Sequence, residues 1–214
     1  MNVEAILAWF KEYWMYAVVL VIVCIIAGFV FKKAAAAYKA HQKSFHEQEA
    51  TMRRLRALKD RYRNLTAEII ADAPAEELLE GVALRDQIFL QKQDNMTAAF
   101  AALPRARQYV YALDVFVADR TAKDFFTKNG KELVSIIAPA IEMIGLAAAL
   151  PTMRKLAVMF DEDDETTSVD YHFVEEADAE FDKIDLLTQI KLQGAQYIKD
   201  HPDEFVENSE LTDA

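Results

Sequence analysis

Nineteen consecutive residues without a charge, Tyr13 to Phe31 (YWMYAVVLVIVCIIAGFVF), constrain this chain more than any other feature. Read as a helix at about 1.5 Å per residue, the run is roughly 28 Å long, close to the hydrocarbon thickness of a bilayer. Glu12 and Lys32 bracket it. Trp9, Tyr13, Trp14 and Tyr16 gather at its first end, where an aromatic belt forms. A buried core helix is the competing reading, but core helices rarely run this long without a polar residue. A cleaved signal peptide fits less well, because the run exceeds the usual apolar stretch and the segment before it is not basic. The sequence therefore predicts a single-pass anchor over 1–33, edged by Tyr13, Trp14, Phe31, Lys32 and Lys33. The only cysteine, Cys24, lies inside the run, so no internal disulfide can form and the thiol reads as a small apolar filler.

Charge divides the rest of the chain. Residues 32–63 hold ten Lys+Arg against three Asp+Glu, whereas 1–12 carry a net charge of −1. Basic residues flank the cytoplasmic side of a span, which predicts an N-terminus outside the cell and everything after Lys32 in the cytoplasm. Lys32, Lys33, Lys39 and Lys43 would lie near anionic headgroups, worth about 1 kcal/mol each. The chain as a whole has a net charge of −11, so residues 64–214 carry −17. The expected organisation is an anchor (1–33), a basic helical neck (34–71), an acidic domain (72–205) and a tail (206–214). Leu55, Leu58, Tyr62, Leu65 and Ile69 form a short apolar seam at spacings of three and four, expected to pack on the domain rather than on a second chain.

Almost everything after the span reads as helix. Ala, Leu, Lys, Glu, Gln and Arg dominate, and five Gly with five Pro in 214 residues are too few for the turns of a sandwich or barrel. The fold class is therefore all-α. A first helix should continue from the membrane to about Ala71, with Asp72 capping the next, over about 74–91. Short helices should cover about 96–102 and 151–160. Between them, one helix starts near Pro104 and ends at Asn129-Gly130, and the next should break or kink at Pro139 and end at Gly145. The last helices are expected over about 173–181 and 184–199.

Chemistry-bearing patterns are scarce. His41, His46, His172 and His201 stand in no metal-ligand spacing, and there is no G-x-S-x-G elbow and no Gly-rich phosphate loop. The polar run 161–168 (DEDDETTS) is dense in oxygen ligands but lacks the Gly and Glu of an EF-hand loop. No enzymatic activity, cofactor or metal is expected, and no small-molecule substrate. The acidic total also speaks against direct nucleic-acid binding.

A more specific pattern runs from Tyr109 to Phe205. Tyr111-Ala112-Leu113-Asp114-Val115-Phe116-Val117-Ala118 leads to Asp124-Phe125-Phe126 and Asn129-Gly130. Pro139-Ala140-Ile141-Glu142-Met143-Ile144-Gly145 and Met153-Arg154-Lys155-Leu156-Ala157-Val158-Met159-Phe160 follow, then Phe181-Asp182-Lys183 and a closing His201-Pro202-Asp203-Glu204-Phe205. This resembles the bacterial DNA-mimic protein family, small acidic all-α domains. The family's Gly-Gly turn is occupied here by Asp119-Arg120-Thr121-Ala122. The resemblance covers a little under half the chain and does not account for the anchor. It implies a bacterial origin, which together with the expected anchor points to the inner membrane, and carboxylates that imitate a phosphate backbone to occupy a DNA-binding protein. Phe125, Phe126, Ile144 and Phe205 read as core. Glu175, Glu176, Asp178, Glu180, Asp182 and Asp185 are the candidate partner-binding residues, although charge-rich helices are usually just solvated faces. The expected function is a membrane-anchored module that binds a basic protein. The alternative is an accessory or scaffold subunit of a larger membrane complex.

Overall fold

A computed structural model describes residues 38, 45, 48–160 and 169–206 of the chain. The expected span and its edge residues Tyr13, Trp14, Phe31, Lys32 and Lys33, the acidic run 161–168 and the tail from 207 lie outside the described residues. The chain divides into two compact units, Met1–Leu55 and Arg56–Ala214. In the first, residues 48–55 are helical, and Arg53 pairs with Glu49 one turn earlier at 2.6 Å. Every regular element among the described residues is a helix, as the composition requires. None of these helices is long and apolar enough to cross a membrane.

The second unit opens with helical residues 56–62 (α1). It continues through α2 (Ala67–Asp72), α3 (Ala75–Leu90), α4 (Met96–Ala102), α5 (Arg105–Asp119), α6 (Ala122–Lys128) and α7 (Lys131–Met143). Then come α8 (Leu150–Met159), α9 (Tyr171–Lys183), α10 (Leu186–Asp200) and a 3-10 turn, Pro202–Glu204. Helix α5 is the hub, packing against α3, α6, α7 and α10. Its Ala106, Val110, Leu113 and Phe116 recur at helical spacing and are all buried. Around Phe116 stand Phe125 and Phe181, with ring centroids 5.3 and 6.3 Å away. Burying each such ring contributes about 1.5–3 kcal/mol. The expected core residues Phe125, Phe126, Ile144 and Phe205 are all buried. The neck seam packs into this same core: Leu58, Tyr62 and Leu65 are buried, and Ile69 lies against them.

Three helix boundaries differ from the sequence reading, each for a local reason. The first helix does not reach Ala71. It stops at residue 62, and the Thr66 hydroxyl accepts the Ile69 amide at 3.3 Å to cap a new helix. Asp72 consequently lies at the end of α2, and Pro74 opens α3 without a side-chain cap. The helix expected from Pro104 to Asn129 is two helices. Arg120 takes a left-handed φ of 68° between them, and Thr121 caps α6 by accepting the Asp124 amide at 3.1 Å. Asn129 then ties the pair together, donating from Nδ2 to Asp119 Oδ2 at 2.7 Å and to the Phe125 carbonyl at 2.9 Å. Helix α7 runs through Pro139 instead of ending there, with Ile137, Ala138, Ala140 and Ile141 buried around the proline. Gly145, at φ 76°, closes α7. Its amide bonds the Glu142 carbonyl while the Leu146 amide bonds that of Ile141, the two bonds of a Schellman motif.

Candidate functional site

The acidic helix α9 buries Val174, Ala177 and Phe181 and turns its carboxylates outward along both flanks of that stripe. Helical spacing sets Glu175 and Asp182 beside Asp178 on one flank, and Glu176 with Glu180 on the other. Glu175, Glu176, Glu180, Asp182 and Asp185 are exposed. Glu176 lies 3.5 Å from the His172 ring, and Glu180 accepts the Thr152 hydroxyl at 2.9 Å. Among the described residues no Lys or Arg pairs with Glu175, Asp182 or Asp185. Asp185 stands at a left-handed φ of 49° before α10 and does not cap it.

Asp178 behaves differently from its neighbours. It is half-buried, and its Oδ1 accepts the Ala122 amide at 2.5 Å, so it caps α6 from a helix 56 residues away. Burial raises its carboxyl above the 3.8 of a free aspartate, while bonds from the Ala122 and Lys123 amides pull it back down. Its first role is structural, and the sequence reading placed it on the exposed face.

Sequence reasoning missed the strongest electrostatic feature of the domain. Asp86 is 0% exposed. Arg107 donates from Nε to both carboxylate oxygens, at 3.2 and 3.1 Å, and also from Nη2. Arg85 approaches the same carboxylate from Nε and Nη2 at 3.4 and 3.3 Å and donates from Nη1 to the Phe205 carbonyl at 2.9 Å. Two guanidinium groups thus converge on one buried carboxylate. The signal was present in the sequence: Asp86 falls in helical register with Leu78, Leu79, Val82 and Leu90, interrupting an apolar stripe.

Beside this cluster, the end of α1 and the second half of α3 enclose a cleft of about 410 Å³. Its lining includes Lys59, Tyr62, Arg63, Arg85, Phe89 and Lys92, and no carboxylate. The two helices approach because residue 81 is glycine; a Cβ there would stand 2.4 Å from the Tyr62 ring. The Tyr62 hydroxyl is buried and has no hydrogen-bond partner among the described residues. Burial raises its phenol, with Arg61 opposing and Glu77 adding to the shift. Phe89 is 42% exposed and stands in the cleft wall. Among the described residues, no group of His, Cys, Asp and Glu could hold a metal ion. No protein-family model matches the chain, and neither does any curated protein or solved structure.

Proposed function

We propose that this protein is a membrane-anchored binding module whose acidic helical domain engages a basic protein. In the sharper form of this reading the partner is a DNA-binding protein occupied by carboxylates in place of phosphates. The observation that carries the reading is the outer surface of α9 and of the turn after it, where Glu175, Asp182 and Asp185 are exposed with no Lys or Arg paired to them among the described residues. Unneutralised charge of one sign steers a complementary partner and raises its association rate more than its affinity. The uncharged run 13–31 and the basic residues after it supply the anchor and the orientation.

The test is capture of partners by the full-length chain from solubilised membranes across a salt series. Reversing Glu175, Glu176, Asp182 and Asp185 to Lys should abolish capture of a basic partner at low salt and leave the helical signal unchanged. The control reverses four other exposed acids, Glu68, Asp72, Glu76 and Asp94. Equal loss in both variants would reduce the effect to bulk charge and remove the support for mimicry. A partner retained at high salt and indifferent to both reversals would make the chain a packed accessory subunit instead.

A further inference from the structure

We propose that the cleft between α1 and α3 is a binding site for a phosphate-bearing anion. This inference does not depend on the acidic face, which lies on other helices and uses other residues. Lys59, Arg63 and Lys92 line the cleft, and among the described residues none of the three has a carboxylate or other side-chain partner. The floor is Arg85, oriented by Asp86 and by the Phe205 carbonyl.

Cations beside helix ends have an ordinary explanation, and magnitude decides against it here. Lys59 and Arg63 flank the last turn of α1, and Lys92 follows the last turn of α3. A helix C-terminus presents roughly half a negative unit charge, so two ends account for about one cation. Three unpaired cations remain well above that. A chain with 35 acidic residues nevertheless places none in this lining. Like charges held this close repel one another, and an anion of charge near −2 relieves that cost.

The shape and the donors narrow the anion to a phosphate. The volume falls within the range of small-molecule sites. Guanidinium groups bind phosphate oxygens in paired hydrogen bonds, and ammonium groups add point charge. Ile88 and exposed Phe89 give one wall an apolar surface for the group that carries the phosphate. The same chemistry is offered by a soluble phosphomonoester and by a phospholipid headgroup.

The experiment uses the full-length chain in detergent with two probes. One is inorganic pyrophosphate, titrated by calorimetry at low ionic strength. The other is dihexanoyl phosphatidic acid, with dihexanoyl phosphatidylcholine as its control, titrated in the same way. The test variant combines Arg63→Gln with Lys92→Gln. The control combines Lys123→Gln with Lys191→Gln, two exposed lysines away from the cleft. Saturable binding of either probe should weaken by about tenfold or more in the test variant, since each lost charged hydrogen bond is worth roughly that factor, and should be unchanged in the control. Pyrophosphate binding with this dependence identifies a soluble ligand. Binding of dihexanoyl phosphatidic acid, but of neither pyrophosphate nor the phosphatidylcholine, with the same dependence, identifies a headgroup. Binding of neither probe, or equal weakening in the two variants, overturns the proposal. Unchanged circular dichroism in the test variant separates loss of binding from loss of fold.

Discussion

Asp86 and Asp178 are both carboxylates that sequence reasoning would leave in water, and each is held by donors from another helix. Asp86 is shut away between Arg107 and Arg85. Asp86→Ala removes a buried carboxylate from two largely buried guanidinium groups and should cost about 3–5 kcal/mol in chemical denaturation. Asp178 has the opposite balance. An acid whose pKa is higher folded than unfolded makes the folded state the better proton binder, so its ionisation weakens folding as pH rises through that window. Asp178→Asn removes the desolvated charge and keeps the acceptor. Its stability relative to wild type should be highest at neutral pH and fall as the pH drops into the carboxylate range. Asp178→Ala uncaps α6 and should cost about 1 kcal/mol at neutral pH. Titrating both variants by denaturant at several pH values checks the sign. The difference in legibility is physical: Asp86 interrupts an apolar stripe that periodicity reveals, whereas the partner of Asp178 is an amide 56 residues away that no local pattern encodes.

Helix existence was legible and helix ends were only partly so. The residues that fill the core recur at three and four, and the range read for α4, 96–102, matches Met96–Ala102. The break between α5 and α6 escaped because it carries no glycine or proline; Arg120 adopts the left-handed conformation in their place. That geometry disfavours a side chain, so Arg120→Gly should raise stability by about 1 kcal/mol. Gly145 is the converse. A Cβ there meets nothing within 4 Å, so Gly145→Ala should cost only the backbone strain, about 1–2 kcal/mol. The two changes, read as thermal midpoints, should move in opposite directions. Gly81→Ala belongs to another class, since its Cβ would collide with the Tyr62 ring, and overpacking of this kind costs about 1–3 kcal/mol. Of the break or kink expected at Pro139, the break does not occur: a proline's effect on a helix depends on what is packed around it, and the burial of its neighbours is a tertiary fact.

At the scale of the molecule, the compact unit from Arg56 takes in the end of the basic neck as well as the acidic part from residue 72, and Leu58, Tyr62, Leu65 and Ile70 contribute to its core. A fragment from residue 56 onward should unfold cooperatively. One from residue 72 should lose several kcal/mol, because each missing side chain gives up about 1.5–3 kcal/mol of burial. Comparing their denaturation midpoints tests this directly; equal midpoints would show that α1 and α2 are ornaments on a domain complete without them. Net charge measures solubility and steering, whereas burial defines the folding unit, and the two need not share a boundary. The bond from Arg85 to the Phe205 carbonyl carries a further consequence for the timing of synthesis. Its partners are separated by 120 residues, and Phe205 is completely buried. A nascent chain that has delivered Arg85 and Asp86 must wait for nearly the whole domain to be translated before that guanidinium gains its carbonyl. Until then the basic cleft has an unfinished floor, so a chain interrupted before residue 205 should emerge with its acidic helix intact and its cation cluster loose.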